Sequence, residues 1–346
     1  MKKLLFLTVA LLQVILAQSQ GCVPVRNYAG MSPDILFNNV KPQDKLVFSF
    51  VNRYYDASDS YKGDKFIADT LVTNRVYTMT FSLLKLFRGG WSMAVIIPIS
   101  ANSRDNGADH KGPGTLPRYT THSFGLGDIR LAVYKWLFKA APGQKGNVQL
   151  GLGVKLATGD FRFEDYFVRN DSTTILAPVD QAIQLGDGGT GITGDLNAFY
   201  MFSHSFHVFA QAFYLANPRE QNGVSNLKGR NATQTEIKNN TTVMSVPDQF
   251  TLRGGMSYEM QKFAFTAGLR YDKVPVNDLM GGNKGFRRAA YIASAEGGIT
   301  YKMSNVLVFA QFGVPFKRNI IQNWQNNMTP AGFAKLILYA GISIKL

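Results

Sequence analysis

The sequence predicts an all-β protein, a transmembrane antiparallel β-barrel of about twelve strands with short periplasmic turns and long extracellular loops. Three observations predict this fold. Beyond residue 17 the chain has no apolar run long enough for a membrane helix. Segments of alternating apolar and polar residues recur along the chain. The connections between these segments alternate between short and long, as they do in outer-membrane barrels.

The N-terminus has the features of a secretory signal peptide. Lys2 and Lys3 precede an apolar run at 4–17, and polar residues follow at once. The run is shorter than the roughly 18 apolar residues that a membrane helix needs. We therefore expect a signal peptide at residues 1–19, with cleavage after Ser19.

A single cysteine, Cys22, follows the expected cleavage point. One cysteine excludes both an intramolecular disulfide and a cysteine-built metal site. Cys22 is either lipidated, as the first mature residue of a lipoprotein, or a free thiol. Residues 20–42 form a periplasmic N-terminal segment, interpreted either as a plug or latch or as a flexible lead-in. The outer-membrane barrel is expected over 43–346.

Composition and charge restrict the partners. The 346 residues are 45% hydrophobic and only 17% charged, with a net charge of +14. The basic residues are spread singly instead of in blocks, and a secreted chain does not meet nucleic acid, so nucleic acid is excluded as a partner. Anionic outer-membrane lipid, including lipopolysaccharide, and a basic lumen are the better explanations of the charge.

Alternation with a period of two is clear in several segments. At 148–156 the even-numbered residues are Val or Leu, whereas the odd-numbered residues are small or polar. The segment 263–272 and the C-terminal segment 335–346 repeat the pattern. A barrel strand in lipid needs this arrangement, because one face meets lipid and the other faces the lumen.

Twelve such segments are found, and their spacing distinguishes a barrel from a soluble sandwich. We expect strands at 43–55, 72–87, 91–100, 127–138, 147–158, 190–202, 205–216, 249–260, 262–274, 289–302, 305–316 and 333–346. Long connections lie at 56–71, 101–126, 159–189, 217–248, 275–288 and 317–332. A soluble sandwich has no reason to place every long connection at one end.

The inward positions collect charged residues of both signs. The predicted lumen-lining residues are Lys45, Arg53, Asp128, Arg130, Lys155, Asp195, Arg253, Glu259, Arg270, Asp272, Glu296 and Lys335. Neighbouring strands would bring Arg253, Arg270 and Glu296 close together, and an unpaired charge in a narrow interior is costly. The set is either a structural ion-pair network or a polar constriction that filters solutes.

Three motifs resemble one known family. GLGDIR at 125–130, KLATGD at 155–160 and QLGDGG at 184–189 occur in this order. They resemble motifs of outer-membrane proteins of the MetA pathway of phenol degradation, which are distantly similar to long-chain fatty-acid transporters. Ala157 stands where that family has Pro. The resemblance implies a channel in the bacterial outer membrane, possible solutes being small hydrophobic or aromatic compounds that cross by passive diffusion.

The loops offer contact candidates but no strong catalytic pattern. Arg287, Arg288 and Asp187 are predicted extracellular-loop contacts, where the two arginines would meet lipopolysaccharide phosphates. His110 and His122 lie in one long loop, whereas His204 and His207 flank a periplasmic turn. Neither pair is placed as a catalytic site requires, so no enzyme activity, metal or cofactor is expected.

Two functions remain open at this stage. One is a channel for a small solute of unknown identity, and the other is a closed barrel for adhesion, lipid contact or structural support. The barrel-assembly machinery is an expected partner during biogenesis, because the C-terminal strand resembles the assembly signal of such barrels.

Overall fold

The computed structural model describes residues 46–105, 119–138, 144–170, 173–321 and 331–346, except for the side chains of 68–71 and 169–170. The expected signal peptide, the N-terminal segment, Cys22 and Lys45 lie outside these ranges. In chain order the strands are β1 (Leu46–Lys62), β2 (Lys65–Leu86), β3 (Trp91–Asp105), β4 (Thr120–Leu126), β5 (Arg130–Trp136), β6 (Gly146–Lys155), β7 (Glu164–Asn170), β8 (Thr173–Pro178), β9 (Gly191–Met201), β10 (Phe206–Ala216), β11 (Gln221–Ser225), β12 (Val243–Ser245), β13 (Gln249–Met260), β14 (Phe263–Val274), β15 (Ala290–Lys302), β16 (Val306–Ile320), β17 (Ala331–Phe333) and β18 (Ile337–Lys345).

The strands form a closed antiparallel barrel with twelve positions in its wall. Two of these positions are each filled by two short strands, since β4 and β5 both pair with β3, and β17 and β18 both pair with β1. The barrel closes where β18 pairs with β1, from Val47 opposite Lys345 to Tyr55 opposite Ile337. The predicted fold and strand number are confirmed.

Helical structure is limited to a 3₁₀ turn at Arg88–Gly90 and the short helix α1 at Gln234–Lys238 among the described residues. Helix α1 begins with a capping box, in which the Thr233 side chain accepts a hydrogen bond from the Glu236 N–H. No helix in the described ranges is long and apolar enough to cross a membrane.

The predicted alternation sorts side chains to the two faces of the wall. On β14, Phe265 and Leu269 face outward and are exposed, whereas Ala264 and Arg270 are buried. On β6, the outward-facing Leu152 is 67% exposed, whereas the inward-facing Gln149 on the same strand is 5% exposed. A closed wall with an apolar outer belt leaves no unpaired backbone edge in lipid, so the protein is an outer-membrane barrel.

The main differences from the predicted boundaries lie on the extracellular side. The predicted long loop at 56–71 is instead the end of a long hairpin, because β1 continues to Lys62 and β2 begins at Lys65. Strand β4 lies in the predicted loop at 101–126. In these strand parts polar residues interrupt the alternation, so they lack the regular pattern by which the membrane strands were predicted.

We expect a charge placed in the outer belt to destabilise the barrel. Leu150 faces outward near the middle of β6 and is 45% exposed. Leu150→Arg should lower the free energy of unfolding by about 2–4 kcal/mol, the cost of an arginine at the membrane midplane. Urea titration of the protein in lipid vesicles measures this change in the free energy of unfolding.

The matched control is Tyr166→Arg on β7. Tyr166 is also exposed, but it lies on the hairpin β7–β8, which forms a separate sheet outside the barrel wall. Its replacement should change the stability by no more than about 0.5 kcal/mol. Equal losses for the two variants would contradict the assignment of Leu150 to the lipid face.

Candidate functional site

A segment at 179–189, called here the plug segment, lies inside the extracellular mouth of the barrel. It follows β8 and leads into β9. Val179 and Ile183 are fully buried, and Leu185 is nearly so. Ala182, Gln184, Leu185 and Asp187 line a cavity together with inward residues of the wall. The plug segment therefore fills part of the lumen.

Hydrogen bonds and apolar contacts hold the plug segment to opposite parts of the wall. The Ile183 carbonyl accepts hydrogen bonds from Asn102 Nδ2 at 3.2 Å and from the Ser123 hydroxyl. Ala182 packs against a buried apolar cluster, whose members are Ala290, Ile292, Ile320, Ala331 and Phe333. A polar backbone enclosed in a lumen needs such partners, since few waters are available there.

Asp180 is the strongest electrostatic anchor of the plug segment. Its carboxylate accepts two hydrogen bonds from Arg288, both 2.9 Å long, and lies 3.7 Å from Arg104 Nη2. Lys228 donates to the neighbouring Val179 carbonyl at 3.0 Å. Burial alone would raise the pKa of Asp180, but the positive charges of Arg104, Arg288 and Lys228 hold this pKa well below its ordinary value.

The three sequence motifs meet at the break between β4 and β5. The Thr158 hydroxyl donates to the Gly127 carbonyl at 2.8 Å, and it accepts from the Ile129 N–H at 2.8 Å. The side chain of Asp128 accepts from the N–H groups of Gly159 at 3.0 Å and Asp187 at 3.2 Å. The motifs therefore repair the interrupted strand and fix the end of the plug segment to it.

Lys155 and two glycines complete this cluster. The Lys155 ammonium donates to Asp187 and lies 3.4 Å from Asp128 Oδ2. Gly159 and Gly186 are in close contact, because a Cβ atom on Gly186 would lie 2.5 Å from Asp128 Oδ1 and 2.6 Å from the Gly159 carbonyl oxygen. Only glycine allows the two backbones to approach so closely.

Two cavities lie along the lumen below the plug segment. The upper cavity, of about 100 Å³, reaches the plug segment, and the lower cavity has a volume of about 90 Å³. Three residues, Ile96, Arg130 and Phe213, line both cavities. They form a thin partition between the two spaces.

The partition is held by Arg130. Its guanidinium donates to Asp195 and, through Nε, to the Thr193 hydroxyl at 2.9 Å. The same guanidinium lies over the Phe213 ring, 5.0 Å from the ring centroid. Ion pairing and ring contact fix the position of a cation between the two cavities.

A second ion-pair network lies deeper in the wall of β13, β14 and β15. Arg253 donates to Glu296 and to Gln211 and Gln311, at 3.2 and 3.3 Å. Arg270 Nη1 lies 3.9 Å from Glu296 Oε1. The structure thus brings Arg253, Arg270 and Glu296 together, as their strand positions suggested. Each buried charge has a partner, which offsets part of the cost of burying it.

The remaining predicted lumen residues have several locations. Arg53, Asp128 and Lys155 line the upper cavity, and Asp195 lines the lower one. Asp272 is buried and accepts two hydrogen bonds from Arg270, at 2.7 and 3.0 Å. Two others belong to the ends of the barrel. Glu259 pairs with Lys302 at 2.7 Å, and Lys335 lies 3.6 Å from Asp59.

The expectation of exposed contacts at Arg287, Arg288 and Asp187 is wrong. Arg287 is fully buried and binds Asp278 Oδ1 at 2.7 Å, whereas Arg288 binds Asp180 in the plug segment. Asp187 is buried against Lys155. These side chains hold extracellular loops together, so they are not available to phosphates at the membrane surface.

Sequence reasoning missed the plug residues and the two apolar members of the partition. A signal was present, since Val179, Ile183 and Leu185 are apolar residues in a long loop where polar residues are expected. Their targets on the wall could not be identified, because Asn102 and Ser123 are more than fifty residues distant in sequence.

The fold is similar to that of solved outer-membrane proteins. The COG4313 outer membrane channel from Pseudomonas putida F1 aligns with a TM-score of 0.61 and 10% identity, over 88% of this chain and 97% of that chain. A Pseudomonas aeruginosa FadL homologue aligns with a TM-score of 0.44 and 11% identity, over 95% of this chain and 100% of that chain. The CymD monoaromatic hydrocarbon channel aligns with a TM-score of 0.42 and 9% identity, over 96% of this chain and 98% of that chain. No protein-family model matches the chain, and no curated protein matches its sequence. Only the first similarity is strong enough to support the shared fold.

We expect Gly186→Ala to loosen the plug segment. The added methyl group would overlap the Asp128 carboxylate and the Gly159 carbonyl, so the strand end or the plug must move. The expected cost is about 1–3 kcal/mol of stability. Limited proteolysis should show faster cleavage within 156–190.

Gly194→Ala is the matched control, because a Cβ atom there meets nothing within 4 Å. This variant should retain the protease resistance and stability of the parent protein. Unchanged cleavage in Gly186→Ala would show that the close contact of the two glycines does not hold the plug.

Proposed function

We propose that this outer-membrane barrel is a channel for small hydrophobic or aromatic solutes, which cross by passive diffusion through its partly charged lumen. The observation that carries the proposal is the stack of two cavities below the plug segment, with a partition of only three shared residues. A barrel with a purely structural role has no need for two adjoining spaces along its axis.

The lining of the cavities supports this class of solute. Apolar side chains face the lumen on β1, β2, β3 and β10, although inward positions of such barrels are generally polar. These lining residues are Val47, Val51, Val76, Leu84, Ala94, Ile96, Phe213 and Leu215. The resemblance of three motifs to proteins of a phenol-degradation pathway favours the same class.

Passage requires the plug segment to move, and its anchors suggest how. Asp180 joins the plug to β3 through Arg104 and to the β14–β15 connection through Arg288. Removing the charge of this one carboxylate would weaken both contacts and leave the cations repelling each other. We therefore propose that the ion pairs of Asp180 hold the plug segment in its closed position, and we call them the Asp180 latch.

The alternative is a closed barrel that supports adhesion or lipid contact without transport. It is favoured by one observation, the buried apolar cluster that packs against Ala182 of the plug segment. If the plug segment filled the mouth permanently, it would pack against the wall in this way. Measurements of ion current separate the two functions.

We expect Asp180→Asn to increase the channel current in planar bilayers. The parent protein should show rare, discrete openings, and the variant should open many times more often because its plug has lost the carboxylate charge. Asp160→Asn is the control, since Asp160 is exposed and binds only the nearby Arg162 N–H among the described residues. Electrical silence of both variants would favour the closed barrel.

The same latch predicts the pH dependence of the parent protein. Because the pKa of Asp180 is held below its ordinary value, the latch contributes fully above about pH 4 and is lost as pH falls through the lowered pKa. The open probability should therefore stay constant between about pH 7 and pH 5. A rise within that interval would contradict the role of Asp180.

We expect aromatic solutes to interact with Phe213 at the partition. In the Asp180→Asn background, phenol should reduce the ion current, whereas glucose at the same concentration should not. Adding Phe213→Ala should weaken this block several-fold, because the ring contact is lost. Phe209→Ala is the control, as Phe209 is also buried on β10 but lines neither cavity. Equal effects of the two alanine variants would contradict a solute site at Phe213.

A further inference from the structure

Two lysines face outward where their strands leave the membrane on the extracellular side. Counted from the first residue of β14, Phe263, Lys273 is the eleventh residue, and counted from Val306 of β16, Lys317 is the twelfth. A tilted strand crosses the bilayer in about 9–11 residues. Both lysines therefore lie at the level of the outer-leaflet headgroups.

The register of the strands confirms that both side chains face the lipid side. Lys273 lies opposite Phe250 on β13 and Tyr291 on β15. Lys317 lies opposite Ala293, whose chain neighbours Ile292 and Ser294 are buried inward. Lys317 is exposed and Lys273 is half-exposed.

An aromatic band surrounds Lys273. The rings of Tyr214 and Phe250 are 6.3 Å apart, those of Phe250 and Tyr271 are 6.4 Å apart, and those of Tyr271 and Tyr291 are 5.6 Å apart. Aromatic side chains form such girdles where the apolar belt ends and the headgroups begin. The band thus marks the same level as the residue count.

Neither lysine has an ionic partner within the described part of the chain, in contrast to an outward-facing arginine at the same level of the wall. Arg75 is the twelfth residue counted back from Leu86, at the same level of the wall, and binds Asp56 on β1 at 3.2 Å. Most interior cations also pair with carboxylates. Lys273 and Lys317 leave two positive charges directed at the outer leaflet.

The separation of the two lysines matches a ligand with two anionic groups. They stand two strands apart, about 10 Å, and one two-residue step apart along the strands, about 7 Å, so their backbones are about 12 Å apart. We propose that Lys273 and Lys317 form a binding site for the two phosphate groups of lipid A, the membrane anchor of lipopolysaccharide. Charge-assisted hydrogen bonds from each ammonium to a phosphate would hold the lipid, with its acyl chains beside the belt.

The test is binding of diphosphoryl lipid A to the purified full chain in detergent, measured by native mass spectrometry. We expect the double variant K273Q/K317Q to bind at least tenfold more weakly than the parent protein, and K273R/K317R to retain binding. Monophosphoryl lipid A should bind the parent protein several-fold more weakly than the diphosphoryl form. Heat-modifiable migration on a gel verifies that each variant is folded.

The control is K85Q/K262Q, which removes the same charge from the periplasmic end, where both lysines are exposed. This variant should bind lipid A as the parent protein does. Equal weakening in the two double variants, or none in K273Q/K317Q, would overturn the proposal. Displacement of lipid A by millimolar inorganic phosphate would also overturn it, since the site would then bind any phosphate. The measurement involves no current, so its result is independent of channel activity.

Discussion

Inside a bilayer an unpaired backbone N–H or carbonyl group has no water to bond, and every strand edge must therefore find a partner. The pairing of β18 with β1 removes the last free edges of the wall. Closure then determines the direction of each side chain, since a residue facing away from lipid must face the lumen. The apolar belt, the charged interior and the place of the cavities all depend on this one constraint.

The interior charges follow from closure, and their pairing follows from the shortage of water. Arg253 shares Glu296 with Arg270, and Arg130 is held by Asp195 beside Phe213. A lumen lined in this way has ion pairs at fixed positions, with both apolar and uncharged polar side chains between them. The same wall can thus stabilise the barrel and form the partition of a solute path.

One break in the wall, between β4 and β5, shows how the barrel connects to its loops. Between β4 and β5, Thr158 and Asp128 replace the strand hydrogen bonds that are lost, and the Asp187 N–H of the plug segment joins them. The loop is therefore part of the wall at this point. Any movement of the plug must therefore take place in the residues that precede Asp187.

The sequence by itself determined the barrel, its strand number and most of the charged residues that face inward. A period of two and alternating loop lengths are local features, and the outward Leu152 and inward Gln149 followed directly from them. It also placed Arg253, Arg270 and Glu296 on neighbouring strands. Local patterns were weaker above the membrane, where β1, β2 and β4 extend without a regular alternation of apolar and polar residues.

Only the tertiary structure decided what fills the lumen and which charges remain at the surface. Arg288 was expected at the lipid surface, but it binds Asp180, which is 108 residues away in sequence. The sequence cannot show such a pairing, because the folding of a long loop depends on contacts with distant strands and not on a local period. For the same reason, only the folded structure shows that Lys273 and Lys317 have no ionic partner within the described part of the chain.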